Sequence, residues 1–376
     1  MTSVQSLSSP ARLASPEEGI STDELALAAR NHGLPLEALR YDLTPPGLHY
    51  LLIHYDIPFA TDAEWMVTVT GSVARSLTLD MAAIRELPRR TVAVTMECAG
   101  NGRARLHPRP VSQPWMVEAV GTANWTGTPL AGVLEAAGVT PDAVEVVFTG
   151  ADHGVERGVE QDYQRSLSLT DAMADDVLLC YEMNGEPLLP QHGFPLRLIV
   201  PGWYGMAHVK WLRDITVVDT PFQGFQQVTA YRLRQEPDEV GEPVTRIFPR
   251  ALLVPPGFPD FMSRRRFARP GPIMIEGRAW SGWGPVVSVE VSADGGATWA
   301  PATIDAHSDA AADGAADPVR RWAWQRWTFL WDATPGAHEL CARATDGTGR
   351  VQPLDDRWNR GGFANNAVQR VPVTVE

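Results

Sequence analysis

Apolar and polar residues alternate with period two in several short runs, and that alternation predicts strands with one buried face. In residues 91–97, Val92, Val94 and Met96 alternate with Thr91, Ala93 and Thr95. Residues 65–73 (WMVTVTGSV) alternate in the same way. The apolar runs at 143–150, 176–185 and 196–202 read as strands punctuated by Gly, Pro and Asn, and 48–58 reads as a strand ending in a His54-Tyr55-Asp56 loop. Helices are predicted between them. Ser21-Thr22-Asp23-Glu24 is a capping box opening a helix that stops near Gly33. Residues 79–87 form a helix closed by Pro88, and Thr128-Pro129 supplies an N-cap and a first-turn proline for a helix ending by Gly138. Helices scattered among strands without a regular βαβ period predict an α+β fold with mixed sheets.

From about Pro243 the texture changes. Five strand-like runs, at 272–280, 286–299, 321–331, 338–349 and 368–375, follow without a convincing helix. Asp294-Gly295-Gly296, between alternating stretches within the second run, is a hairpin signal. The pattern predicts an immunoglobulin-like β-sandwich. The chain therefore divides into an N-terminal extension (1–40), a mixed-sheet domain (41–242) and the sandwich (243–376). Trp322 and Trp324 share one parity, whereas Trp327, Phe329 and Trp331 share the other, so a bulge near Gln325-Arg326 is expected to bring all five to one face. Residues 1–20, rich in Ser, Ala and Pro, are expected to be loosely draped, and 306–317 to be a solvated loop.

Composition narrows the function. With 44% hydrophobic and 20% charged residues the chain is ordinary for a globular protein. A net charge of −13 and a pI near 5.2 argue against nucleic acid as a partner. No stretch approaches the ~20 apolar residues of a membrane span. Glu17, Glu18, Asp23 and Glu24 near the N-terminus do not suit a secretory signal, so the expected compartment is the cytoplasm. Cys98, Cys180 and Cys341 lie far apart with no C-x-x-C spacing, which indicates neither a disulfide framework nor a zinc site. Thirteen tryptophans, eight of them after Ala279, mark the second domain.

Cys98 is where chemistry concentrates. It ends a predicted strand and runs into Ala-Gly-Asn-Gly-Arg, where two glycines let the backbone approach a bound group. Arg103 and Arg105 place positive charge beside the thiol. This suits a metal ligand or a nucleophile. It equally suits a buried cysteine acting as a small hydrophobe, and the local residues leave these readings open.

The block TMECAGNGR (95–103) resembles the molybdenum-ligand motif of the sulfite oxidase family. The likeness continues in order through GTANWTG (121–127), FTGADHG (148–154), YEMNGEPLLPQHGFPLRLIVPG (181–202), HVKWL (208–212), SADGGATW (292–299) and WNRGGFANNAVQRV (358–371). The resemblance implies a molybdenum–molybdopterin cofactor, one molybdenum per chain. Cys98 would be the protein ligand to the metal, beside two dithiolene sulfurs and two oxygens. It assigns Asp152, His192, Arg197, His208 and Lys210 to cofactor binding, with His54, Tyr55 and Asp56 as a further contacting loop. It places Arg103 in an anion pocket as a catalytic residue, with Trp115 beside it. The implied reaction is oxygen-atom transfer to or from a small oxyanion or sulfur compound, with nitrate or a sulfoxide as alternative substrates. No haem or flavin segment is read, so the electron acceptor or donor is expected to be external. The second domain is expected to make a homodimer.

Three positions depart from the family's sulfite oxidases. His54 stands in place of an arginine, Phe222 in place of a pocket tyrosine, and Gly361 in place of an arginine, with Arg360 one residue earlier. These imply poor sulfite oxidation that improves below neutral pH as His54 gains a proton. A different class, a metal-free thiol enzyme pairing Cys98 with His107 or His153, explains none of the other blocks. A non-catalytic β-sandwich binding protein is the third class.

Overall fold

The structure, a computed structural model, describes residues 12–305 and 319–376. The expected loop at 306–317 and the first eleven residues of the N-terminal segment lie outside the described residues. Ten strands build the first half: β1 (Met66–Gly71), β2 (Leu77–Asp80), β3 (Arg90–Glu97), β4 (Val120–Pro129), β5 (Glu145–Glu156), β6 (Val159–Ser168), β7 (Leu178–Met183), β8 (Glu186–Pro187), β9 (Arg197–Ile199) and β10 (Leu212–Val218). They form two sheets, one mixed and one wholly antiparallel. One sheet has the order β2-β1-β10-β5-β6, in which only β1 and β10 run parallel. The other has the order β3-β4-β7-β8, with β9 also on β7. Alternation located both β1 and β3: β1 buries Val67 and Val69 on one face, whereas β3 is buried on both faces from Val92 to Glu97.

Helices are few and short among the described residues. Thr22–Arg30 is capped as the sequence predicts, the Ser21 hydroxyl accepting from the Glu24 amide while Glu24 accepts from the Ser21 amide. Met81–Glu86 follows an unpredicted strand, β2, and is capped by Asp80. The helix Leu130–Ala137 ends at left-handed Gly138 as expected, but β4 runs on through Thr128 and Pro129, so Thr128 pairs in the sheet instead of capping the helix. The protein is thus mostly β. Residues 48–58 form no sheet strand either. After a 3-10 turn at Pro46–Leu48 the chain runs extended, bridged only by His32 to Leu51. Its apolar side chains face a cavity and the core and have no neighbouring strand to pair with.

In the second half, a four-stranded sheet carries Arg250–Leu253, Gly271–Trp280, Gln325–Ala333 and Thr303–Ile304. A six-stranded sheet carries Phe258–Pro259, Arg266–Ala268, Val371–Val375, Gly336–Asp346, Val286–Ser292 and Ala300–Pro301. Side chains from both, including Ile275, Trp327, Trp331, Val289, Leu340 and Val373, share one core, so the sheets pack face to face. Asp294 makes the predicted turn, its carboxylate accepting from the Thr298 amide and hydroxyl while Gly295 and Gly296 take positive φ.

The expected bulge near Gln325 is absent. Gln325–Ala333 pairs with Gly271–Trp280 in unbroken register from Ala279↔Gln325 to Gly271↔Ala333. The tryptophans instead divide between two cores. Trp327 and Trp331 enter the sandwich, while Trp324 enters the core of the first half. Trp322 lies at the edge of β3, where the Thr95 amide donates to its carbonyl. The parity break falls where the chain passes from contact with the first half into the strand Gln325–Ala333.

The N-terminal segment is pinned wherever it is described. The Ala14 amide donates to the Arg109 carbonyl, and Leu34, Ala38 and Leu39 join the main core. No helix among the described residues is long and apolar enough to cross a membrane.

Candidate functional site

Cys98 follows directly on β3, with its amide donating to the Ala119 carbonyl. The turn after it closes through Asn101 N–H to Cys98 O and through Gly102, whose φ of +91° a side chain would strain. The Asn101 amide group fastens this turn to Glu97 and Val117 and accepts from Ala119 N–H. Arg103 then folds back over Gly100, where even a β-carbon would meet its guanidinium at 2.5 Å. The two glycines read from the sequence therefore have distinct jobs. One turns the chain and the other makes room for arginine.

Cys98 lies on the wall between two cavities. One holds Asp152, His192, Arg197, His208 and Lys210 among its lining, together with His49 and Met96. The other, a wider funnel, holds Arg103, Trp115, Arg360 and Phe363. Cys98, His54 and Tyr231 line both. Burial pushes the Cys98 thiol up, against Arg103, the Gly100 amide and Trp115, which favour thiolate.

The inner cavity gathers residues from distant blocks. Asp152 sits where the β5–β6 register shifts between Thr149 and His153, a bulge that re-aims its side chain. Its Oδ1 is buried without a hydrogen-bond partner, as are His49 Nε2 and Arg197 Nε. Arg197 donates to the carbonyls of His192 and His208 and lies 4.8 Å from the centre of the Trp125 ring. Lys210 Nζ donates to Leu52 O at 2.8 Å. Burial pushes Asp152 up and Lys210 down. His208 uses both ring nitrogens on backbone, Nδ1 accepting from Val200 N–H and Nε2 facing Trp203 O. Its imidazole therefore positions Arg197, which binds its carbonyl.

The sequence-derived loop His54-Tyr55-Asp56 divides. His54 reaches both cavities, Tyr55 only the funnel, and exposed Asp56 neither. His54 Nε2 is 2.8 Å from the Tyr231 hydroxyl. Burial pushes His54 down to about 4, so it is neutral near pH 7 and cannot restore a cation just below neutral pH. That corrects the expected acid improvement. Phe222 lines neither cavity, its amide donating to Glu145. A tyrosine hydroxyl is nevertheless present, because the π-turn Gln226–Ala230 delivers Tyr231 to the site. Tyr231, His49, Arg157 and Arg30 were missed in the sequence. His49 could have been noticed as the polar residue of an apolar run, whereas nothing local marks the others.

Arg103 is 5% exposed, donating from Nε to Gly361 O at 3.0 Å and from Nη1 to Gln113 O at 3.2 Å. Arg360 lines the funnel, so the one-residue displacement keeps a guanidinium there. His107 and His153 line neither cavity, and His153 is held outside by Asp162 and Glu160. Among the described residues, no three His, Cys, Asp or Glu side chains converge on a metal position. A soft metal at Cys98 would take its other ligands from a cofactor, and the orphaned buried atoms of Asp152, His49 and Arg197 fit the donor and acceptor edges of a pterin. Lys210 and Arg197 suit its phosphate.

Three buried histidines make the site acid-labile. His49 is pushed down to about 4, and His192 and His208 to about 3, chiefly by burial. Because these values lie below the unfolded value of about 6.5, stability is fully present above that pH and is lost as pH falls toward 4. Each adds up to about 1.4 kcal/mol per pH unit over that window. The melting temperature should therefore fall steeply from pH 6.5 to 4, and less steeply in His208→Gln. An equal slope in the variant would contradict the assignment.

Comparisons with known proteins give the family. Residues 54–226 match the oxidoreductase molybdopterin binding domain, and residues 260–376 match the Mo-co oxidoreductase dimerisation domain. Sulfite oxidase of Gallus gallus is 34% identical over 360 residues, covering 87% of this chain and 72% of that protein. NADH nitrate reductase of Solanum lycopersicum is 31% identical over 369 residues, covering 91% of this chain but only 40% of the reductase. The crystal structure of the sulfane dehydrogenase SoxCD from Paracoccus pantotrophus superposes with a TM-score of 0.78 at 26% identity, covering 97% of this chain and 90% of that one.

Proposed function

The chain belongs to the sulfite oxidase family of molybdopterin oxidoreductases, and from that premise we propose that it transfers an oxygen atom to or from a small oxyanion or sulfur compound at a molybdenum held by Cys98. The observation that carries this reading is the position of Cys98 on the lining shared by a cavity holding Asp152, His192, Arg197 and Lys210 and an arginine-lined funnel. The cofactor, when bound, supplies two-electron chemistry coupled to oxygen transfer. Asp152, His192, Arg197 and Lys210 would hold its pterin and phosphate, with His49 added to that set and His208 positioning Arg197. Arg103 binds the anion from its remaining donors. The Tyr231 hydroxyl, oriented by His54, offers the substrate a hydrogen bond, while Trp115 and Phe363 shield the sulfur from water. Electrons pass to or from an external partner. Metal and pterin analysis of the purified protein should find close to one of each per chain, and protein that is active without molybdenum would overturn the reading.

Sulfite tests the pocket. Replacing neutral His54 by a permanent cation restores one charged hydrogen bond, which is expected to lower the Michaelis constant for sulfite in His54→Arg by about 10-fold. The wild-type constant should show no His54 titration between about pH 6 and 8. An unchanged constant in the variant would show that the pocket does not lack this charge. Nitrate assayed in parallel separates the alternative substrate.

The second half is read as an immunoglobulin-like dimerisation unit, on the face-to-face sheets and the matched dimerisation domain. Sedimentation at micromolar concentration should give a homodimer, and a monomer would count against it.

A further inference from the structure

The N-terminal segment is a built wall of the funnel. Arg12, Asp23, Ala26, Leu27 and Arg30 line it, all upstream of residue 54, where the match to the molybdopterin-binding domain begins. Two buried polar residues fix this wall. Glu24, fully buried, accepts from Arg109 Nε at 2.9 Å and Nη2 at 3.2 Å, and from the amide of Ser21 at 2.8 Å. Asn31, also buried, donates to Leu27 O at 2.9 Å and Gln113 Oε1 at 3.0 Å, and accepts from Ile53 N–H at 2.8 Å. Gln113 lines the same funnel and its carbonyl holds Arg103, so the N-terminal wall and the funnel floor meet at one residue. Buried polar groups satisfied on both sides rigidify what they join.

Cations stand at two depths. Arg103 is buried beside Cys98, whereas Arg30 is exposed on the rim. Among the described residues Arg30 makes one long hydrogen bond, from Nη2 to His54 O at 3.4 Å, and its side chain lines the funnel. Arg12, by contrast, is committed to Glu18 through both terminal nitrogens. The lining as a whole holds five arginines against Asp23 and Glu156, in a chain whose net charge is −13. An inorganic oxyanion held by Arg103 at Cys98 leaves the rim arginine facing water. A longer anion would use both.

We propose that residues 12–33 build an outer anion subsite, with Arg30 as its cation, that takes the distal negative group of a substrate longer than an inorganic oxyanion. This rests on the reading of Cys98 as the reaction centre. The substrate class is a sulfur-centred group at one end of a short carbon chain and a carboxylate or sulfonate at the other. Arg30 is then a specificity residue acting remotely from the reacting atoms.

The test is direct binding to the holoenzyme by calorimetry. The probes are methanesulfonate, with one anionic end, and a series of carboxyalkyl sulfonates with two. The two-ended series should contain a member binding about 10-fold tighter than methanesulfonate, the contribution of one charged hydrogen bond. Arg30→Ala should reduce that member to the methanesulfonate value, and Arg30→Lys should restore part of the difference. If no two-ended anion binds more tightly than methanesulfonate, or none binds at all, the subsite does not exist. If Arg30→Ala weakens both probes equally, Arg30 only steers anions through its field, and the proposal is equally overturned. Molybdenum content of the same samples separates the two levels. Loaded enzyme without the difference refutes the subsite alone, whereas enzyme without molybdenum refutes the reading of Cys98 beneath it.

Discussion

Cys98→Ser should leave a folded protein whose turnover falls to background. Serine nearly matches cysteine in size, so the backbone bond from residue 98 to Ala119 O and the turn closed by Asn101 and Gly102 are kept. The polar cost is small, on the order of 1 kcal/mol for one buried site. The chemical cost is complete, because a hydroxyl is a poor ligand for a soft metal centre. Melting temperature and steady-state rate measured on the same preparation check this. A variant that melts as the wild type does and still turns over at the wild-type rate would remove Cys98 from the mechanism.

Arg250→Met should be among the most destabilising single changes in the chain. Arg250 and Glu97 are 1% and 2% exposed, and Arg250 Nη1 lies 2.9 Å from Glu97 Oε1. Glu97, next to Cys98, also accepts from Trp280 Nε1 at 2.8 Å and Asn101 Nδ2 at 3.0 Å. Arg250 donates in turn to the Asn365 carbonyl, and Asn365 donates to Gly102 O at 2.9 Å. Two side chains of the second half thus meet the carboxylate that precedes Cys98. Removing one partner of a buried pair leaves an uncompensated charge and costs about 3–5 kcal/mol. Removing both, in Glu97→Gln with Arg250→Met, should cost less than the sum of the single changes. Denaturant unfolding of the four proteins measures this. A loss below about 1 kcal/mol in Arg250→Met would mean that the pair contributes no more than an exposed one.

The fold was legible where one element buries one face. β1 alternates because one of its faces is buried and the other partly exposed, and the Ser21 and Asp294 caps are local hydrogen-bond motifs that need no tertiary context. It was illegible where burial is shared. Trp324 and Trp327 stand three residues apart, yet different cores take them, because Trp324 packs back on the first half while Trp327 lies within the strand Gln325–Ala333 of the second. Residues 48–53 are apolar for the sake of a cavity and offer their backbone to no sheet.

The site divides similarly. Cys98, Arg103, Asp152, His192, Arg197 and Lys210 sit in recognisable blocks, and the structure brings them to one pair of cavities. Tyr231 carries no such mark, since a π-turn and the packing of its ring 5.0 Å from Phe363 place it, and both depend on contacts across more than a hundred residues. His54 was read with its free-solution acidity, which burial overrides.

X-ray absorption at the molybdenum edge tests the central claim most directly, because it counts sulfur neighbours of the metal. The wild-type enzyme should show the two dithiolene sulfurs and that of Cys98, and Cys98→Ser that retains molybdenum should show one sulfur fewer. An identical sulfur count in the two proteins would mean that Cys98 does not hold the metal.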